Sequence, residues 1–303
     1  MEKTMKNRKP RKREHAFFPI TMWILTFLWC FILIVVLFWG IIQSLKTDFN
    51  FWFDSVGFPA AEYGGWSFEN YTKVFTQVKI PDTKGNLVYF PEMIFNSLYY
   101  CLVNGFFSVL APMICSYVYA KYSRRVPWTR ILWIILLINL YVPLSASLAA
   151  SLEFSMIFGF YDNLYLYSIT SLTGFNSAFL IYYATWKGVS WEYAEAGYMD
   201  GASDFRIFFE IMFPMTVTVF GVLYVSDIIA FWANYTTPMI YLPSYPTVAY
   251  GVYYFTTFPG EEDAGNIPVQ LAALFASATP MLALFIAFKD KMMGSLTMGG
   301  LKG

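Results

Sequence analysis

Residues Trp191 to Pro214 read WEYAEAGYMDGASDFRIFFEIMFP, a charged stretch in a chain whose other long runs are apolar. It carries five acids, Glu192, Glu195, Asp200, Asp204 and Glu210, and one base, Arg206. Glu192 to Met199 are good helix formers, Asp200-Gly201 is a stop signal, and Ser203 stands where it caps a second helix beginning at Asp204. Phe205, Phe208 and Met212 then recur at three and four residues, with Ile207 and Ile211 beside them, which predicts one apolar stripe. The expected shape is a short helix, a bend and an amphipathic helix. Helices that rest on an anionic leaflet are rich in Lys and Arg. Five acids against one base predict a protein partner instead.

Outward from this elbow the composition is that of a membrane protein. The 303 residues are 57% hydrophobic, 21% aromatic and only 13% charged, against about one quarter charged in a soluble chain. A hydrocarbon core about 30 Å thick takes roughly 20 apolar residues. The charge-free stretches predict spans at about 17–42, 93–120, 130–151, 164–187, 214–236 and 268–288, with the elbow as loop 188–213. The expected fold is all-α and polytopic, six transmembrane helices in one domain, 16–288. Pro214 suits the first turn of the fifth span, and Pro143 is expected to bend the third. Residues 1–15 hold seven Lys and Arg, and Lys121, Arg124, Arg125 and Arg130 cluster without an acid. The segments around Glu153 and Glu261 hold no base. Basic segments stay cytoplasmic, so both termini, including a tail at 289–303, and the elbow are expected inside.

Several chemistries lack material. His15 is the single histidine, which removes a histidine metal site and a Ser-His-Asp triad. No Gly-Lys pair occurs, so the phosphate-cradling loop GxxxxGK[ST] is absent and the chain cannot hydrolyse ATP by that route. Cys30, Cys101 and Cys115 fall inside expected spans and read as packing thiols. KNRKPRKR, beside a span, reads as a topogenic signal and not as a nucleic-acid site.

Asp227 is the one ionisable residue well inside an expected span. An unpaired charge in lipid costs at least about 2.5 kcal/mol, so this acid must face protein or water. A place on a solute path and a structural hydrogen bond to a neighbouring helix both fit. Beyond it, Phe231, Trp232, Asn234 and Tyr235 combine flat apolar faces with an amide, a mixture that suits sugars. Trp and Tyr also gather at membrane interfaces without a ligand. The aromatic loop from Tyr241 to Pro259 fits either an extracytoplasmic protein contact or interfacial packing.

The elbow also carries a specific pattern of letters. Glu195, Ala196, Gly201, Ile211 and Pro214 fit EA-x4-G-x9-I-x2-P, which resembles the EAA loop of permease subunits in binding-protein-dependent ABC importers. At about 7% per letter, five matches arise by chance at a given start roughly once in a million. DGAS at Asp200 to Ser203 is similar to the carbohydrate branch. So are SFENYTKVF at Ser67 to Phe75, FWANYTTPMIYLPSYPTVAYG from Phe231, and the ending GSLTMGGLKG, which resembles maltose-type subunits. Gly197 departs from the usual second alanine, and Trp232-Ala233 from the frequent Trp-Asn.

The resemblance implies a type I importer permease, a multi-pass protein of the bacterial cytoplasmic (inner) membrane. It implies a carbohydrate, specifically oligosaccharide, as cargo and alternating access as mechanism. The implied partners are a second, different permease subunit, two ATPase subunits that hold ATP and Mg, and an extracytoplasmic solute-binding protein, with no cofactor in this chain. It gives Glu195, Ala196, Gly197, Asp200, Gly201 and Ala202 the ATPase-coupling role. Two other classes stay open: an ion-coupled secondary carrier working through Asp227, and a non-transporting scaffold that uses the elbow as a tether.

Overall fold

The computed structural model describes residues 17–123, 129–141, 148–258 and 266–298. The expectations placed on the tail 1–15, on Pro143 and on residues 299–303 lie outside them. The first helix, α1 (Phe17–Ser44), contains no charge and leaves nearly every side chain uncovered, with Trp23 at 76% and Phe27 at 73% exposure. Water would penalise each such side chain by about 1.5–3 kcal/mol, whereas lipid tails need no protein cover.

Two short helices, α2 (Asp48–Phe53) and α3 (Glu69–Gln77), follow. Asn70 on α3 donates its amide to the carbonyls of Ser44 at 2.8 Å and Lys46 at 2.7 Å, which fixes the foot of α1. A two-stranded antiparallel hairpin comes next, β1 (Lys79–Pro81) and β2 (Leu87–Tyr89), with Lys79 opposite Tyr89. It leads into α4 (Phe90–Tyr122), whose first turn holds Pro91, where a missing N–H costs nothing. The central α4 packs along α8 (Ser177–Gly188) and α11 (Phe213–Ala233). Between these lie α5 (Thr129–Tyr141), α6 (Leu148–Ile157), α7 (Leu164–Tyr167), α9 (Glu192–Met199) and α10 (Asp204–Arg206). Last come α12 (Thr236–Tyr241), α13 (Val248–Thr257) and α14 (Ile267–Met298), the last lying against α1, α3, α11 and α13.

Among the described residues four helices are long and apolar enough to cross a membrane: Phe18–Ser44, Phe90–Tyr122, Asp204–Ala233 and Ile267–Asp290. The expected third span is covered by α5 and α6, with 142–147 undescribed. The expected fourth, 164–187, is not one helix. It is divided into α7, a 3-10 turn at Ser168–Ser171 and α8. Asn176 causes the restart, since its Oδ1 accepts the Phe179 N–H at 3.3 Å while its amide donates to the Ser108 carbonyl on α4 at 3.2 Å. Gly174 lets this link lie close to α4, because a Cβ there would come within 2.6 Å of the Cys115 sulfur.

The fifth span begins in the elbow and ends at Ala233, rather than running 214–236. Its helix passes from α10 to α11 through a π-turn at Ile207–Met212, where the Phe213 N–H reaches back to the Phe208 carbonyl. Pro214 is the reason: an α-helical turn would drive its ring into the carbonyl four residues back, and a wider turn relieves that clash. The sixth helix continues to Met298, so residues 289–298 of the expected tail extend the helix.

Apolar cores form at both ends of α4. One gathers Val74, Ile80, Met93, Ile228, Trp232 and Val252 around the hairpin end, and the other gathers Met113, Tyr117, Trp186, Ile207, Phe208 and Met212 beneath the elbow.

Candidate functional site

The elbow is held up by aromatic side chains. Trp186 on α8 is wholly buried, donates its indole N–H to the Met113 carbonyl at 3.3 Å and meets the Tyr117 ring edge-on at 5.1 Å. Phe208 from the π-turn closes on Tyr117 at 4.8 Å. On this seat α9 turns Ala194 and Gly197 inward, one helical turn apart, and leaves Glu192, Tyr193, Glu195, Ala196, Met199 and Asp200 outward. Gly197 belongs to the seat: an added Cβ would stand 2.9 Å from Ile211 Cδ1 and 3.1 Å from Ile207 Cγ1. Its neighbours within this chain are the side chains of Ile207 and Ile211.

The bend after α9 is a Schellman motif. Gly201, at φ 75°, donates its N–H to the Tyr198 carbonyl at 3.0 Å, and Ala202 donates to the Gly197 carbonyl at 3.0 Å. Ser203 has the extended conformation of an N-cap (φ −75°, ψ 161°), but its hydroxyl makes no capping bond. The stripe expected after it is rephased by the π-turn: Ile207, Phe208 and Met212 are buried, whereas Phe205 is 79% exposed. Phe205 therefore joins Met199, 88% exposed, on the outer surface. Arg206 pairs with Glu210 at 2.8 Å, which leaves Glu195 and Asp200 exposed and without an ion pair among the described residues.

Tyr198, Tyr122 and Lys121, none of them expected as elbow contacts, complete the elbow. Tyr198 on α9 donates its hydroxyl to Oδ1 of Asp204, and Tyr122 at the end of α4 lies 3.3 Å from the same oxygen. The bond to Asp204, and then the one with Tyr122, hold the Tyr198 phenol above its ordinary pKa. Lys121 donates its ammonium to the Val189 carbonyl at 2.6 Å. No local pattern could have revealed the contacts of Tyr122 and Lys121, because each joins residues far apart in sequence.

The residues considered for a solute path do not converge. Asp227 faces α4, where the Ser108 hydroxyl donates to its Oδ2. Phe231 turns to Tyr100, edge-on at 5.5 Å. Asn234 is a cap, accepting the Thr237 N–H at 3.0 Å and donating to its hydroxyl at 3.0 Å. Trp232 and Tyr235 line a common cavity of about 520 Å³ between α11, α13 and α14. There Trp232 donates to the Ser277 carbonyl at 2.9 Å and Tyr235 stacks on Tyr253 at 4.3 Å.

Residues 109–290, which include the elbow, its seat and Asp227, match a family described as the binding-protein-dependent transport system inner membrane component. The chain belongs to this family. Among its relatives is the arabinooligosaccharides transport system permease protein AraQ of Bacillus subtilis, 27% identical over 248 residues, 78% of this chain and 79% of that one. Another is the diacetylchitobiose uptake system permease protein NgcG of Streptomyces coelicolor, 23% identical over 281 residues, 91% and 86% of the two chains. The fold is that of a chain in the crystal structure of a bacterial ABC transporter involved in the import of the acidic polysaccharide alginate. The TM-score is 0.69 at 17% identity, covering 93% of this chain and 99% of that one. This family member is thus an all-α, membrane-embedded importer permease, with the small β1–β2 hairpin as its one sheet among the described residues.

Proposed function

We propose that the chain is one of two permease subunits that carry an oligosaccharide through the bacterial cytoplasmic membrane, driven by a separate pair of ATPase subunits. The observation that carries this reading is the outer surface of α9. Glu195, Ala196, Asp200 and Gly201 lie on it exposed, beside Met199 and Phe205, while Gly197 and Ala202 fasten it to the chain beneath. A short acidic helix with two bare apolar side chains, mounted on a rigid base, fits a cleft in an aqueous partner better than it fits a lipid surface. ATP and Mg are held by that partner, and each closure of the ATPase pair pushes α9.

In this reading six crossings are made by α1, α4, the α5–α6 segment, the α7–α8 segment, α10–α11 and α14, with both termini and the elbow in the cytoplasm. The distribution of Lys and Arg supports that orientation. The hairpin end then meets the solute-binding protein, and a different permease subunit supplies the other half of the path. An oligosaccharide is the favoured cargo because relatives are described as transporters of arabinooligosaccharides and diacetylchitobiose. Trp232 and Tyr235 offer this cargo a flat wall. Asp227, partly buried, acts as a tie to α4 through the Ser108 hydroxyl.

The test is uptake into vesicles that hold the assembled complex. Uptake requires ATP and disappears with Glu195→Ala while the complex still inserts. Uptake that needs a proton gradient and is lost with Asp227→Asn would overturn the reading.

A further inference from the structure

The helix α9 is attached to two bodies. One attachment is covalent, through the Gly201 turn and Asp204 into the unbroken helix that ends at Ala233. The other is non-covalent and runs to the last residues of α4. The hydroxyls of Tyr122 and Tyr198 lie 3.1 Å apart, and both meet Oδ1 of Asp204. Lys121, adjacent on α4, holds the Val189 carbonyl just ahead of α9 and lies 6.0 Å from the Trp191 ring centre. Neighbouring residues of α4 therefore grip the elbow both before and after α9.

The grip has the chemistry of a latch. A phenol that donates to a carboxylate makes a charge-assisted bond, roughly twice as strong as a neutral one, and a directional one. Close packing does not back it on one side, where Tyr122 and Asp204 border a cavity of about 320 Å³ with Ile114, Val118, Phe205 and Phe209. Behind the latch, α4 is not free to slide on α11. The Tyr224 hydroxyl donates to the Leu102 carbonyl at 3.1 Å, Ser108 holds Asp227, and Ile228 lies against the gap left by Gly105.

We propose that Tyr122, Tyr198 and Asp204 are positioning residues that deliver every displacement of α9 to α4 as well as to α11, so that these helices move as one body around Asp227. This rests on the reading of α9 as the seat of an ATPase subunit. Without the latch α9 pivots at Gly201, and closure of the ATPase pair is spent in the elbow.

The experiment uses the complete complex with its ATPase subunits. Cys30, Cys101 and Cys115 are replaced by alanine, and spin labels are placed through Glu192→Cys on α9 and Val118→Cys on α4. The label distance is read without nucleotide and with ATP plus vanadate. In the otherwise unaltered chain it changes by less than about 2 Å, the scale of small helix shifts. With Tyr122→Phe and Tyr198→Phe together it changes by more than that. Asp204→Asn, which keeps an acceptor oxygen, holds the distance constant, and Asp204→Ala does not. A merely structural role would lower the amount of complex without separating Asn from Ala. If the double variant fails to assemble, Tyr122→Phe alone, one oxygen fewer, carries the same expectation. A double variant with the constant distance of the unaltered chain, or an unaltered chain that changes as the variant does, overturns the latch. Failure of any ATPase subunit to associate with the unaltered chain overturns the proposed function, and the latch with it.

Discussion

Glu195 and Asp227 are both carboxylates on helices, and the molecule treats them in opposite ways. Glu195 stands in the open on α9 with no ion pair among the described residues, above a seat in which Trp186, Tyr117 and Phe208 leave almost no freedom. Asp227 lies inside the bundle, tied to Ser108 on α4. An acid that is bare but rigidly mounted is available to a partner without an ordering cost, while an acid bonded within the bundle is already committed to holding two helices together. Under the proposed function, the difference assigns coupling to the elbow and cohesion to Asp227.

Breaking the mount should do the most damage. Trp186→Ala removes a fully buried indole and its bond to Met113, and is expected to cost about 3–5 kcal/mol. Thermal unfolding of the purified chain would register it as a marked loss of stability together with loss of assembly. Breaking the contact while sparing the mount comes next. Glu195→Lys should leave that thermal transition in place yet lower the amount of copurifying ATPase by about tenfold or more, because like charge at the centre of a docked surface is strongly unfavourable.

Gly197 sharpens the distinction between mount and contact. Valine there must displace both Ile207 and Ile211, an overpacking expected to cost about 1–3 kcal/mol. Alanine presses on Ile211 Cδ1 and Ile207 Cγ1 with a single methyl and regains about 1 kcal/mol of helix propensity, so its net effect should be close to zero. The same melting experiment separates the two. A small effect is also expected at Asp227→Asn, which keeps an acceptor for Ser108: a stability change under about 1 kcal/mol, with uptake still dependent on ATP. A collapse of uptake in that variant would move Asp227 from cohesion to transport.

The elbow was readable because its signals are local. A left-handed Gly201 and good helix formers act within a turn or two, and they specify α9 and the bend. The phase of the following stripe was not readable, since Pro214 imposes a π-turn that sends Phe205 outward. The break in the fourth expected span depends on Gly174 against Cys115 and Asn176 against Ser108, contacts set by tertiary packing. The path residues looked contiguous between 227 and 235, yet helical rotation and the cap at Asn234 point them in different directions.

The central claim is that α9 is gripped by a nucleotide-hydrolysing partner. A photo-crosslinker in place of Met199, 88% exposed at the end of α9, tests it in intact membranes. The account predicts a covalent adduct with a separate ATP-binding subunit, strengthened when ATP is trapped in the complex. Adducts formed only with phospholipid would contradict it.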